Sequence, residues 1–390
     1  MNISPMADSP PSQSAPHGSL AELAKEFLGL GFVAFGGPAA HIAMMEERFV
    51  RRLNWLTRER FLDLLGAVNL LPGPSSTELA IYLGQMRAGT AGLLIAGGCF
   101  ILPAAFLVAA LAWAYQAYGA VPQVAGSLIG IKPVVVALIV RAVWNLAPTA
   151  LKSIPLAVLA AAVALLAALR FPVLLLLIGA GALWVLLREG KRLTKSRSRS
   201  AMALGILAPA GANSVGIAAL FLYFLKIGAI LFGSGYVLLA VLRADLVLRL
   251  HWLTDAQLLD AIAVSQATPG PFFTVSTFVG YLLAGWKGAA LATVAMFLPA
   301  FVLVAATARF LPKLRQSPRA CAFLDGVNAA AVAAMAFVGY QFAFAALINW
   351  PVIAIAIVSG FLVFRYPVNS TWLVLGGAMA GLLLHTLGKI

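Results

Sequence analysis

Long apolar runs, interrupted by short polar connectors, occupy nearly the whole chain from residue 20 onward. The runs 90–118, 201–241 and 286–310 each reach the roughly 20 apolar residues that span a bilayer's hydrocarbon core, and 351–364 is shorter but equally apolar. The pattern then repeats. Trp55-Leu56-Thr57 returns as Trp252-Leu253-Thr254, Asp63 as Asp260, and Pro72-Gly73-Pro74 as Pro269-Gly270-Pro271, all 197 residues later. Past one deleted residue the spacing is 196, which relates Gly84 to Gly280, Leu102-Pro103 to Leu298-Pro299, and Pro155 to Pro351. So constant a spacing marks a duplication.

Each half therefore reads as the same series of elements. A first apolar segment (20–45; 217–242) carries a Gly-rich interruption, Phe35-Gly36-Gly37-Pro38 in one half and Phe232-Gly233-Ser234-Gly235 in the other. A polar connector (46–60; 243–255) follows, and Thr57 and Thr254 stand as N-caps, the latter with Gln257 fitting a capping box. A short helix (58–71; 255–268) runs into each Pro-Gly-Pro and a second leaves it (75–86; 272–283). Helices of 12 to 14 residues reach about 20 Å, too short to span, so each pair reads as a re-entrant hairpin. Four more apolar segments complete each half: 90–118, 122–147, 154–168 and 172–187, answered by 286–310, 320–347, 351–364 and 370–386. The expected fold is an all-α polytopic membrane protein with about five spans and one broken hairpin per half. An odd number of spans makes the halves inverted-topology repeats.

Composition agrees. Hydrophobic residues make up 62% of the 390 and charged residues only 10%, against about 25% in a soluble domain. The net charge of +14 is concentrated in short loops: Arg188 to Arg199, Arg48 to Arg60 and Arg309 to Arg319. Basic short loops mark the cytoplasmic side of a membrane chain, so no nucleic-acid partner is expected. The resulting organisation is a disordered tail over 1–19, a repeat over 20–187, a basic cytoplasmic linker over 188–200 and a second repeat over 201–390. With an odd number of spans the tail falls outside the cell, unless the first segment fails to cross at its Gly36-Gly37-Pro38 break. The two cysteines, Cys99 and Cys321, form neither a disulfide framework nor a metal motif, and no cofactor or metal is expected.

Candidate chemistry centres on the two breaks. The first Pro ends the incoming helix, the Gly takes backbone angles closed to other residues, and the last Pro suits the first position of a new helix. Amides freed at a helix N-terminus, at the positive end of its dipole, bind anions. Ser75, Ser76, Thr77 and Glu78 follow the first break, and Thr274 follows the second; Asn69 and Gln266 precede the breaks by three residues, and Thr268 adjoins the second. Ionisable residues inside apolar segments are functional candidates by default, which singles out Lys132, Arg141 and Lys226. Lys132 and Arg141 are nine residues apart and face opposite ways on an ideal helix unless Pro133 distorts it. Asp63 and Asp260 are candidate proton sites or partners of a neighbouring cation; His41 is a candidate site residue or a core histidine; Asp325 reads as structural.

The runs Phe35-Gly36-Gly37-Pro38-Ala39-Ala40-His41-Ile42, Trp55-Leu56-Thr57, Leu70-Leu71-Pro72-Gly73-Pro74-Ser75-Ser76-Thr77 and Ala267-Thr268-Pro269-Gly270-Pro271-Phe272-Phe273-Thr274 resemble the chromate ion transporter family in its two-domain form. The resemblance covers everything from residue 20 onward. It implies proton-motive-force-coupled efflux of chromate across the bacterial inner membrane and chromate resistance, with sulfate as the related ligand. The residues themselves point to the glycine-rich and Pro-Gly-Pro motifs as the substrate site and leave Glu78, Asp63 and Asp260 as proton-coupling candidates. Two positions depart from the family pattern: Glu78 stands where Gln is expected, and Ser234 interrupts a glycine run. The partners expected are chromate, sulfate, the bilayer and a second copy of the chain as a homodimer. Transport of sulfate or another oxyanion is the nearest alternative. An intramembrane enzyme is more remote, since neither His-Glu-x-x-His nor Gly-x-Ser-x-Gly occurs.

Overall fold

The computed structural model describes residues 19–119, 121–189, 216–231, 237–307, 317–366 and 368–388. The basic linker from residue 190 onward, the tail over 1–18, Gly233, Ser234 and most of the loop from Arg309 lie outside the described residues. Among those described, the chain forms 14 α-helices and no strand. The first half holds α1 (Leu20–Val33), α2 (Pro38–Met45) running on through a π turn (Glu46–Arg52), α3 (Arg58–Val68), α4 (Ser75–Tyr118), α5 (Pro122–Ala150), α6 (Ile154–Ala168) and α7 (Val173–Glu189). The second holds α8 (Ile217–Ile230), α9 (Val237–Leu242) with its π turn (Arg243–Arg249), α10 (Asp255–Ala267), a 3-10 turn (Phe272–Thr274) leading into α11 (Val275–Thr307), α12 (Pro318–Ala346), α13 (Trp350–Arg365) and α14 (Ser370–Thr386). The spacing read from the sequence persists in the helices: the two π turns are 197 residues apart, and α5 and α12 correspond end to end at 196. Thr57 accepts from the Arg60 amide, and Thr254 and Gln257 form a reciprocal capping box.

α4 and α11 each reverse direction near their start. The turns lie at Ala88-Gly89 and Ala284-Gly285, where the glycines sit at φ +61° and +59°, a region that L side chains rarely adopt. Beyond each turn the chain lies back on itself so closely that Gly84 and Gly92, and likewise Gly280 and Gly288, leave no room for a side chain. Small residues allow helix backbones to approach in a membrane, and here they close the hairpin that each Pro-Gly-Pro begins. By length and composition α4, α5, α12 and the stretch 272–307 can cross a membrane; α6, α7, α8, α13 and α14 are shorter apolar helices.

The first apolar segment is a hairpin as well. Gly36 and Gly37 take φ of +102° and +81°, Pro38 opens α2, and the chain returns alongside α1. Phe27 meets Phe49 with ring centroids 4.9 Å apart, and Glu26 pairs with Arg48. The start of α1 therefore lies on the same face as the basic connector 46–60. Of the two readings of the first segment, a crossing or a turn at Gly36-Gly37-Pro38, the structure shows the turn, so the segment contributes no crossing and the relation of the two halves is read from their packing instead of from a count of spans.

The halves are inverted. The start of α7, at Pro172–Leu175, shares a small cavity with Lys226, Asp245 and Arg249, whereas Arg188 at its other end lies 3.7 Å from Asp325 near the start of α12. The second π turn is thus on the face opposite to Arg188. α12 runs against α7, with Gly326 packed on Ala180 and Gly181, and α5 runs against α14, with Gly130 packed on Gly377 and Gly381. These crossed pairs, with α4 on α11, form the core.

Candidate functional site

The two breaks lock into one another. The Gly73 amide donates to the Leu231 carbonyl at the end of α8, and the Gly270 amide donates to the Ala34 carbonyl at the end of α1, both at 2.8 Å. Each Pro-Gly-Pro therefore satisfies the broken first hairpin of the other half. Gly73 and Gly270 sit at φ +141° and +95°, and a Cβ on Gly270 would come within 2.5 Å of the Ala104 side chain. Since these glycine amides are taken, the donors left for a ligand among the described residues are those of Ser75 and Ser76 after the first break and of Phe273 after the second, near helix N-termini where intrahelical acceptors are missing.

A cavity of about 700 Å³ opens beside these N-termini. From the breaks it takes Gly36, Asn69, Pro74, Ser75, Ser76, Gln266 and Pro271. Its far wall is α5, where Arg141, Asn145, Thr149 and the following Lys152 lie in succession, with Asn328 of α12 and Asn369 before α14 completing the polar lining. Arg141 is fixed at the cavity wall. Its Nε donates to Asn145 Oδ1 at 3.2 Å, it donates to the Val363 carbonyl, and its guanidinium lies 5.2 Å from the Phe364 ring centroid. Lys152 pairs with Asp325 at 2.7 Å at the rim. Among the described lining residues two are cationic, several are amides or hydroxyls, and none is a carboxylate. With Lys152 already paired to Asp325, such a lining suits an oxyanion gripped by Arg141 and by neutral donors.

The remaining candidates lie behind or away from this wall. His41 is buried; its Nε2 donates to the Ala34 carbonyl at 2.9 Å, leaving Nδ1 of the neutral ring to accept from Ser76 Oγ at 3.2 Å. It positions a lining residue without lining the cavity. Thr268 and Thr274 spend their hydroxyl protons on the carbonyls of Ser265 and Pro271. Gly37, Pro72 and Pro269 shape the breaks from behind. Thr77 and Glu78 are fully buried, Glu78 lies against Gly73, and among the described residues neither its carboxyl oxygens nor Thr77 Oγ1 has a hydrogen-bond partner. Lys132 turns away from Arg141, as the ideal-helix geometry requires, and lies 3.9 Å from Asp260, which also accepts from Tyr115 at 3.0 Å. The partner of Asp260 is thus a lysine from the other half. Its counterpart Asp63 is on an exposed face of α3.

Sequence reasoning missed Asn145, Thr149, Lys152, Asn328 and Asn369. Arg141, Asn145 and Thr149 recur every four residues along α5, a polar stripe on an otherwise apolar helix that periodicity alone can reveal. Asn328 and Asn369 carry no comparable local signal and join the site only through tertiary packing.

A family model described as chromate transporter matches residues 21–185 and matches again over 218–382. The chain belongs to the chromate transporter family. Across this family it is 31% identical to the chromate transport protein of Cupriavidus metallidurans over 96% of this chain and 95% of that one, and 35% identical to the chromate transport protein of Pseudomonas aeruginosa over 83% and 80%. It is also 30% identical to the uncharacterized transporter YwrA of Bacillus subtilis, over 33% of this chain but 72% of that shorter protein, as expected of a family built from one repeating unit. No solved structure matches the chain.

Proposed function

We infer that the chain carries chromate out of the cytoplasm across the bacterial inner membrane, coupled to the proton-motive force, and so confers resistance. The observation that carries this reading is the cavity itself: the breaks of both inverted halves meet at a lining with Arg141 and Lys152 and no carboxylate among the described residues. Duplicated broken helices at the repeat interface are where secondary transporters bind substrate. The basic loops support a cytoplasmic position for the Lys152 rim. In this arrangement the substrate enters from the cytoplasm, and Arg141 grips two oxygens while the amides and hydroxyls of Ser75, Ser76, Asn69 and Gln266 hold the others. The names of the relatives support chromate as the substrate and transport, not catalysis, as the activity.

Proton coupling is assigned to the two buried hairpin carboxyls, Glu78 and Asp260. Burying an unpaired carboxylate is costly, so a carboxyl with no hydrogen-bond partner, such as Glu78, is suited to carrying a proton. The test is chromate uptake into everted membrane vesicles, with and without a proton gradient and with sulfate as competitor. Gradient-dependent accumulation above empty vesicles is expected. Sulfate uptake without chromate uptake would keep the site and replace the substrate; chromate uptake indifferent to the gradient would remove the coupling.

A further inference from the structure

Around the cavity the second half is closed where the first is open. Arg243, at the start of the second π turn, is buried, pairs with Asp255 at 2.7 and 3.0 Å, and donates to Gln341 on α12. Lys132 on α5 faces Asp260 on α10. These contacts belong to a packed face: α9 lies against α12, and α10 against α5 and α14. The counterparts in the first half are Glu46 for Arg243, Arg58 for Asp255 and Asn145 for Gln341, and Lys132 has its own counterpart in the second half, Asn328. Glu46 and Arg58 keep an ion pair, at 3.1 Å and with the signs exchanged, but Asn145 is exposed to the cavity and accepts from Arg141 instead. The packing of α2 and α3 is with α4 and their own π turn.

Inverted repeats of one fold can exchange conformations, each half taking the surroundings that the other had. We propose that Lys132 and Gln341 line an outward-facing oxyanion site, the counterpart of the site that Asn328 and Asn145 line here, and that the Arg243–Gln341 and Lys132–Asp260 contacts are the gate that keeps it shut. The proposal rests on the transport reading above. On turning outward, α9 and α10 separate from α12 and α5, and Lys132 supplies the cation that Arg141 supplies on the cytoplasmic side. At 3.9 Å the Lys132–Asp260 pair is held by charge and is longer than a hydrogen bond, which makes it separable, and among the described residues Asp260 Oδ1 has no hydrogen-bond partner. The gate also explains why Lys132, an ionisable residue in an apolar helix, is absent from the cavity that Arg141 lines.

The test uses the full chain with Cys99 and Cys321 replaced by Ala and single reporters probed with a membrane-impermeant thiol reagent. Asn145→Cys reports the cytoplasmic cavity. Val338→Cys, buried on α12 one turn from Gln341 and the counterpart of the cavity residue Ala142, reports the outer one. Asn145→Cys should react in everted vesicles, and Val338→Cys should react slowly from the outer face. Adding Asp260→Asn should raise the outer rate of Val338→Cys at least tenfold, and exchanging the pair as Lys132→Asp with Asp260→Lys should return it to the slow rate. An outer rate unchanged by Asp260→Asn, with Asn145→Cys still reactive as evidence of fold, overturns the gate. A chain that shows the gate response but moves no chromate refutes the transport reading and leaves the gate in place.

Discussion

The two halves share one chain path, yet they hold the same positions in opposite states. In the second half the hairpin helices α9 and α10 are packed against α12, α5 and α14, and their charged residues are drawn inward: Arg243 is 8% exposed and Asp260 2%. In the first half α2 and α3 leave a cavity between themselves and α5, and the equivalent charges, Glu46–Arg58 and Asp63, lie toward the surface. The helical boundaries, the backbone reversals and the reciprocal Gly73 and Gly270 hydrogen bonds are common to both. What differs is which side chains each half offers its neighbours. Equal scaffolds with unequal linings allow one site between the halves to face one side at a time.

The largest effect is expected where the scaffold is common. Gly270→Val forces a branched side chain to φ +95° and into Ala104, at about 1–3 kcal/mol for the backbone and a similar amount for the overpacking, and should abolish both folding yield and chromate flux. Next comes the buried charge pair that exists in one half only. Asp255→Ala leaves the buried Arg243 without its partly exposed carboxylate partner and should lower stability by about 1.5–3 kcal/mol, read as a fall in the unfolding temperature of the purified protein in detergent. Arg141→Ala should weaken chromate binding by about 10–100-fold, the equivalent of losing hydrogen bonds from a charged group, with Arg141→Lys recovering only part. Asp260→Asn should alter the gradient dependence of flux several-fold, while Asp63→Asn, at the exposed counterpart, should leave it within about twofold. Smallest of all, Arg58→Ala removes an exposed pair and should cost under about 1 kcal/mol, against the larger loss at its counterpart Asp255.

Much of this architecture was legible in advance because duplication turns weak local signals into paired ones. Thr57 and Thr254, the Pro-Gly-Pro breaks and the reversals after Gly84 and Gly280 are dictated by caps, missing amides and glycine angles, all local physics. The fold-back of the first segment was written in Gly36-Gly37-Pro38, but hydropathy averages over such a break and reads one continuous span. The candidate site was legible in its N-terminal donors and in Arg141. It was not legible in Asn328 and Asn369, whose place depends on how α12 and α14 pack; His41 was a candidate, but its bond to Ser76 is a matter of tertiary packing. The Lys132–Asp260 pair joins residues 128 positions apart in opposite halves, and no periodicity within either half encodes it.

The central claim is that the two breaks build one oxyanion site between them, not one site per half. Titration calorimetry of chromate into the purified chain tests it most directly. One chromate bound per chain, with binding weakened by Arg141→Ala, is the predicted result. Two equivalent chromates per chain, or binding of undiminished affinity in Arg141→Ala, would contradict it.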